Sequence, residues 1–318
     1  MPNYNGVWSL STQYQYAADW PDPTDSNRGL YAGGYGAPNY NNIEFFAIQT
    51  TGNSADFGDL TVARRGHSDG SSSTRAVFSS GIDADGVVNV IDFVTIASTG
   101  DATDFGDSTV ARQIVGGCSN ATRGLTAGGN SSGAAYDDTI DYITIANTGN
   151  ATDFGNLSVG RYGAGASSST TRGVFISGYT GSHVNTMDYV TIGTTGNASD
   201  FGDTATTSAS YNAACSSSTR IVIGGGSSDG AKINVLQYIT TGTTGNASDF
   251  GDLTNSIQNA AATSDLTRGV FAGGIASSRV NVIQFITIAT TGDATDFGDL
   301  SQVSNYAAAA SNAHGGLA

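Results

Sequence analysis

The segment that decides the fold covers residues 268–300 and reads RGVFAGGIASSRVNVIQFITIATTGDATDFGDL. It opens with a short apolar run that ends in a double glycine, at 268–274. An alternating piece follows at 283–288, and then a Thr-Gly-Asp turn leads into Asp-Phe-Gly. Alternation of β-branched and aromatic residues with polar ones is typical of β-strands. The segment therefore predicts three strands joined by tight turns.

The same segment recurs along the chain. The tripeptide Asp-Phe-Gly begins at Asp56, Asp104, Asp153, Asp200, Asp249 and Asp296. An arginine after Thr or Asn opens the apolar run at Arg28, Arg75, Arg123, Arg172, Arg220 and Arg268. The arginines are on average 48 residues apart. A period of this size is typical of propeller blades or of helix-pair solenoids.

The composition separates these two architectures. Glu44 is the only glutamate and Lys232 the only lysine, although these residues normally cover helix surfaces. The chain has 44 glycines, and each repeat holds a fourth, small-residue segment such as 162–169. Small side chains suit strands that converge on a crowded axis. We therefore predict an all-β fold, a closed six-bladed β-propeller of four-stranded blades over residues 27–318.

The two ends of the chain bear on blade number and on docking. The small-residue segment at 306–311 is predicted to complete the blade that begins at Arg28. Residues 314–317 resemble the start of a further repeat, so a seven-bladed propeller is the alternative. All four prolines and both tryptophans lie within the first 38 residues. We interpret residues 1–26 as a leader that docks onto a partner through Trp8, Leu10 and Trp20.

The repeats resemble the kelch motif in the order Arg161-Tyr162-Gly163, small residues, Gly173-Val174-Phe175 and then Tyr189. Phe154 stands where kelch blades usually carry a tryptophan. The repeats, with the opening Gly6-Val7-Trp8-Ser9-Leu10, are also similar to propeller and tail-fibre proteins of marine tailed bacteriophages. This resemblance implies a virion protein made in the host cytoplasm, whose leader binds other virion proteins.

Charge and hydropathy exclude several partners. The net charge of −15 opposes nucleic acid, which needs clustered Lys and Arg. No apolar run is long enough to span a bilayer, so we expect no membrane insertion. The first residues lack a basic start and an apolar core, so we expect no secretory signal. Homo-oligomerisation stays open.

The repeated charges have two interpretations. The six arginines and the six aspartates of Asp-Phe-Gly lie at fixed phase, which predicts one buried ion pair between blades in each repeat. Calcium is the alternative for the aspartates, although their spacing is not that of an EF-hand. His67, His183 and His314 occupy different phases, and no Ser-His-Asp context is present. We therefore expect no metal, no cofactor, no catalytic residues and no enzyme.

The loops between the double-glycine segment and the alternating segment vary while the frame repeats. Loops at one phase of a propeller emerge on one face, which makes them the natural place for binding specificity. The candidate ligand-binding residues are Tyr35, Tyr40, Asp85, Tyr136, Asp137, Tyr179, His183, Asp229, Lys232 and Arg279. Exposed Tyr, Asp and Asn suit sugars, so we expect binding to a host-surface glycan or protein. The alternative is a purely structural virion protein, a capsid decoration or tail assembly component.

Overall fold

The computed structural model describes residues 27–205 and 209–317, and its regular structure is almost entirely β-strand. Six four-stranded antiparallel sheets stand in a ring, which makes the protein a six-bladed β-propeller. The predicted fold class is confirmed, with six blades. The leader, with Trp8, Leu10 and Trp20, lies outside the described residues.

Each blade runs from an innermost strand at the central axis to an outermost strand at the rim. The innermost strands, from the first blade to the sixth, are Ala308–Ser311, Ser68–Ser71, Gly116–Ser119, Gly165–Ser168, Ala213–Ser216 and Ala261–Ser264. The second strands are Arg28–Ala32, Arg75–Ser79, Arg123–Ala127, Arg172–Tyr179, Arg220–Gly224 and Arg268–Ala272. The third strands are Asn42–Ala47, Val90–Thr95, Thr139–Thr144, His183–Thr191, Val235–Thr240 and Val282–Thr287. The outermost strands are Ala55–Asp59, Thr103–Asp107, Thr152–Asn156, Ser199–Asp203, Ser248–Asp252 and Thr295–Asp299.

Strand direction sorts the connections onto two faces. Loops from second to third strands, and from outermost strands to the next innermost strand, emerge on one side, here called the loop face. The tight turns emerge on the other side, the turn face. Short strands extend the loops of the third and fifth blades at Arg112–Gln113, Asn130–Ser131, Ala209–Ser210, Ser227–Ser228 and Ala231–Lys232.

The C-terminal strand closes the ring. Ala308–Ser311 pairs antiparallel with Arg28–Ala32, as the sequence predicted. The 3-10 helix Gly315–Leu317 then contacts the innermost strands of the fourth and fifth blades, and His314 Nε2 lies 3.3 Å from both Ser119 Oγ and the Ser71 carbonyl. These residues therefore plug the turn-face end of the central channel instead of starting a seventh blade.

The rim is closed by the Thr-Gly-Asn/Asp turns. Gly100 N donates to the Phe57 carbonyl, and the Asp101 carboxylate accepts a hydrogen bond from the backbone of Asp59 in the preceding blade. The pattern recurs in all six blades and ends with Asn53 accepting from Asp299. A Cβ at Gly58 would collide with the Gly100 carbonyl, which explains the glycine of Asp-Phe-Gly. Each outermost edge is thereby covered against pairing with another chain.

The six repeat arginines do not form the ion pairs predicted for them. Arg172 lies over the Tyr189 ring at 4.8 Å from its centroid and donates to the Thr241 carbonyl of the next blade at 3.0 Å. The other five arginines repeat both contacts. All six aspartates that open Asp-Phe-Gly are exposed. The prediction is wrong: each arginine stacks on an aromatic ring and donates to a strand-end carbonyl, and no carboxylate of the described residues lies within 4.0 Å of it.

Buried ion pairs form at other positions of the repeat. They join Arg64 to Asp92, Arg112 to Asp141, and Arg161 to Asp188, at 2.6 to 3.0 Å. Each arginine follows an outermost strand, and each aspartate lies in the third strand of the next blade. The pairs therefore stitch the second, third and fourth blades to the blades before them.

Hydrogen bonds ring the channel at its turn-face end. In every blade the last serine of the innermost strand donates its hydroxyl to the carbonyl of the equivalent serine in the preceding blade. Ser216, for example, donates to Ser168 at 2.7 Å. Between this ring and the loop face lies a cavity of about 90 Å³ that all six innermost strands line. Asp69 lines it where the other blades carry Gly or Ala.

Candidate functional site on the loop face

Two positions in every blade present variable side chains on one conserved backbone frame. The residue three places before each innermost strand is bridged to the residue that follows the double-glycine region. The six bridged pairs are Asn305 with Tyr35, Arg65 with Ile82, Gln113 with Asn130, Tyr162 with Tyr179, Ser210 with Ser227, and Gln258 with Ile275. The frame holds chemically different residues in the same place, which is how a repeat fold varies its surface without losing stability.

Five tyrosines of the loop face form a contiguous aromatic cluster. Tyr136 stacks on Tyr162 with centroids 5.9 Å apart and planes 13° apart, and Tyr162 also meets Tyr179 at 5.4 Å. Tyr211 is 6.0 Å from Tyr162 and 6.2 Å from Tyr306. The cluster, defined here as Tyr136, Tyr162, Tyr179, Tyr211 and Tyr306, runs across the face past the mouth of the channel.

An extended hairpin in the fourth blade supports one end of the cluster. Its second and third strands are 8 and 9 residues long, whereas the equivalent strands of the other blades have 5 and 6. The extension pairs Tyr179 with His183, whose ring lies 5.3 Å from the tyrosine ring. His183 Nδ1 is in turn 2.8 Å from Ser210 Oγ, which ties the hairpin to the neighbouring blade.

A ring of backbone hydrogen bonds positions Tyr211 and Tyr306. Their equivalents are Gly66, Ile114, Gly163 and Asn259, and each of the six N–H groups donates to the carbonyl of the residue before it in the ring. All six residues have left-handed backbone, with φ of 60° at Tyr211 and 58° at Tyr306. That conformation favours glycine and costs other residues about 1 to 3 kcal/mol. Two tyrosines thus occupy strained positions at the channel mouth, where two of the other four positions of the ring hold glycine.

The hydroxyls of Tyr211 and Tyr306 are held in their protonated form. Burial raises the pKa of Tyr211 well above its ordinary value, and the neighbouring Tyr162 hydroxyl adds to the rise. Burial also raises the pKa of Tyr306, while Asn259 and Arg65 oppose the change. At neutral pH these groups therefore offer neutral O–H donors and acceptors beside flat apolar rings.

Two arginines meet one tyrosine beside the cluster. The Arg65 and Arg279 guanidinium groups lie 4.5 and 4.4 Å from the Tyr35 ring centroid. Arg65 donates to Asn39 at 2.7 Å and Arg279 to Asn305 at 3.0 Å. Stacking and one amide contact each hold the two cations in place.

The structure brings together part of the predicted ligand-binding set. Tyr136, Tyr179 and His183 belong to the cluster or contact it, and Tyr35 contacts Arg279 as described above. Asp85, Asp229 and Lys232 lie in the second-to-third-strand connections of the second and fifth blades, and Tyr40 folds back onto Gly36. Asp137 differs from the expectation, because it is buried and lies 3.5 Å from Arg112 in a structural contact.

Sequence reasoning missed four residues of the site. Tyr162, Tyr211, Tyr306 and Arg65 fall beside the small-residue segment, which was assigned to the channel wall. A signal was present, because a large side chain interrupts an otherwise small-residue stretch at each of these positions. These positions are recognised as part of the site only once the structure shows that the loops before the innermost strands emerge on the same face as the loops between second and third strands.

The part of the chain that the structure describes contains no cluster of side chains suited to bind a metal ion. No group of three or more His, Cys, Asp or Glu side chains is close enough to hold an ion there. His67 is buried beside Arg64, and burial together with that charge lowers its pKa well below the ordinary value. Across residues 27–205 and 209–317, no helix is long and apolar enough to cross a membrane.

Comparison with known proteins does not assign the chain to a family. No protein-family model matches the chain, and no curated protein is significantly similar to it. The kelch and bacteriophage resemblances therefore stay predictions from the repeat sequence, and the loop-face geometry is the basis for assigning a function.

Proposed function

We propose that this protein is a non-enzymatic virion component, associated with a bacteriophage tail or fibre, that binds a host-surface glycan through its loop face. The aromatic cluster is the observation that carries glycan binding. Flat tyrosine faces stack on the apolar faces of sugar rings, while their hydroxyls exchange hydrogen bonds with sugar hydroxyls. The virion assignment is supported by the resemblance of the kelch-like repeats and the leader to phage tail proteins.

Rigidity of the frame supports recognition by a preformed surface. The channel-mouth ring, the serine ring and the six rim turns connect every blade to its neighbours. A rigid platform loses little conformational entropy when it binds a ligand. Strain at Tyr211 and Tyr306 is consistent with a functional demand for those side chains.

A second candidate is a purely structural virion protein, attached through residues 1–26. The concentration of all prolines and both tryptophans at the N-terminal end of the chain favours it. Deletion of residues 1–26 separates the two functions. It abolishes assembly into particles under either proposal, but the isolated propeller retains cell binding only if the loop face is a receptor site.

The cluster itself is tested by substitutions that copy other blades. Tyr162→Gln and Tyr211→Gly install the residues found at the equivalent positions of the third and second blades, so the frame is preserved. We expect the double variant to lose at least about tenfold in affinity for host cells, the equivalent of about 1.4 kcal/mol. Binding of labelled protein to cells, scored with blocking of phage adsorption, measures the loss.

Ile114→Gly is the matched control. It makes the same backbone change in the same ring without removing an aromatic side chain. Equal binding by the Tyr162→Gln, Tyr211→Gly variant and the Ile114→Gly control would refute a role for the cluster. An absence of binding by the wild-type protein would leave the structural candidate.

A further inference from the structure

Most of the basic side chains of the protein make structural contacts within the propeller. Six of the 12 basic residues are the repeat arginines that cover aromatic rings, and three form the buried ion pairs. The remaining three are Arg65, Arg279 and Lys232, and all lie on the loop face. In a chain of net charge −15, the face that carries the tyrosine cluster is also where the uncommitted cations lie.

Arg65 and Arg279 retain most of their donors. A guanidinium group has five N–H donors, and each of these two uses one of them toward a neutral amide. In the described residues no carboxylate lies within 4.0 Å of either group, whereas Arg64, next in sequence, forms the buried ion pair with Asp92. Both arginines are partly exposed to solvent.

The two arginines are preorganised by Tyr35. Cation–π contacts at 4.5 and 4.4 Å hold the Arg65 and Arg279 guanidinium groups against one ring, so both positive charges would attract an anion bound beside that ring. Arg65 also lies beside the aromatic cluster, because the N–H of Gly66, next in sequence, donates to the Tyr306 carbonyl at 2.7 Å. The cationic pair and the aromatic cluster are therefore continuous.

We propose that Arg65 and Arg279 form an anion subsite that recognises the acidic group of a charged saccharide, whose neighbouring sugar rings lie along the tyrosine cluster. This inference rests on the proposed glycan binding and specifies its ligand class. Planar guanidinium groups match carboxylate and sulfate oxygens in paired hydrogen bonds. Nucleic acid is disfavoured, because two or three cations on a strongly acidic protein cannot neutralise a phosphate backbone.

The experiment compares acidic polysaccharides with neutral ones of the same backbone. Alginate, polygalacturonate, hyaluronate and chondroitin sulfate are immobilised beside their neutral forms, which are carboxyl-reduced in every case and also desulfated for chondroitin sulfate, and binding of the full chain is measured at low and high salt. We expect at least one acidic polymer to bind at least about tenfold more tightly than its neutral form. The preference should shrink as salt rises.

The variants again copy other blades. Arg65→Gln matches Gln113 and Gln258, and Arg279→Asn matches Asn39, which occupies the corresponding loop position in the first blade. We expect the double variant to lose the acidic preference while its melting temperature stays near that of wild type. Lys232→Gln, which removes one charge from the same face outside the pair, should change affinity by less than about threefold.

The outcomes separate this inference from the proposed function. Equal binding of acidic and neutral forms, or an acidic preference that survives Arg65→Gln with Arg279→Asn, overturns the anion subsite but leaves glycan binding intact. Binding of polyglutamate as tightly as the best polysaccharide also overturns it, since a charged saccharide would then not be recognised. Binding to no polysaccharide and to no host cell overturns both.

Discussion

Arg161 and Asp188 form an ion pair of 3.0 Å in which neither side chain is exposed to solvent. Asp188 also accepts hydrogen bonds from the Ser158 amide and hydroxyl, which lie in the same interblade loop as the arginine. In all six blades the side chain at this position of the third strand accepts a hydrogen bond from a backbone N–H of the preceding interblade loop. The acceptors are Glu44, Asp92, Asp141, Asp188, Gln237 and Gln284. Aspartate is present in the three blades where the loop supplies an arginine.

Removal of this arginine should destabilise the propeller. Arg161→Ala leaves a buried carboxylate with only the Ser158 donors, and we expect the free energy of unfolding to fall by about 3 kcal/mol. The double variant Arg161→Ile with Asp188→Gln copies the sixth blade, where Ile257 and Gln284 occupy these positions. It should recover most of the loss, because it removes both charges together. Urea unfolding measures both, and a double variant no more stable than Arg161→Ala would contradict the pairing.

The repeat arginines should matter less than the buried ones. Arg172→Ala removes a partly exposed cation–π contact and one hydrogen bond to the Thr241 carbonyl, and orphans no carboxylate. We expect a loss of about 1 to 2 kcal/mol, which is smaller than the loss from Arg161→Ala measured under the same conditions. Arg172→Lys keeps the charge but not the planar stacking, and should lie between wild type and alanine. A loss larger than that of Arg161→Ala would show that Arg172 has a buried anionic partner.

The fold was predictable because its signals repeat six times. The alternating third strand, the buried phenylalanine of Asp-Phe-Gly and the small innermost strand each recur, so errors at one copy are corrected by the others. Closure by the small-residue segment at 306–311 was predicted by counting the repeated segments, and the strand that forms there is Ala308–Ser311. Partners of individual charges were not predictable, because phase along the sequence does not say which blade a side chain faces. Arg172 and Asp200 recur with the same period, yet one covers a ring and the other lies in solvent.

The site was only partly predictable for the same reason. Tyr35, Tyr136, Tyr179 and His183 stand in loops whose variability is visible in the sequence. The residues that join them, such as Tyr211, come from a second connection that reaches the same face, and their proximity depends on the channel-mouth ring. No local pattern encodes a ring built from one residue of each blade.

Ring closure and channel plugging should have separable effects. Removal of 308–318 exposes the edge of Arg28–Ala32, and we expect the protein to aggregate or to exchange strands between copies. Removal of 314–318 alone keeps that strand and opens the turn-face end of the channel, so the chain should stay monodisperse with at most a modest fall in melting temperature. Size-exclusion chromatography distinguishes the two. A soluble, cooperatively unfolding protein after the longer deletion would show that the last strand is dispensable.

The last prediction concerns the carboxyl group inside the channel. Burial raises the pKa of Asp69 from its ordinary value to about 8. Between about pH 4 and pH 8 the folded state therefore binds more protons at Asp69 than the unfolded state does, so the contribution of this group to stability should fall as pH rises through this range. Asp69→Asn removes the ionisation. The variant should match wild type at pH 4 and be more stable by about 2 to 4 kcal/mol at pH 9, a range that allows for solvation by water in the channel.

Burial lowers the pKa of His314 in the same channel to about 4, but its contribution is common to both proteins and cancels in their difference. Asp85→Asn, the same change at an exposed loop position, controls for the loss of one negative charge. Urea unfolding at pH 4, 6.5 and 9 provides the comparison, and a stability difference between Asp69→Asn and wild type that does not grow with pH would refute the assignment.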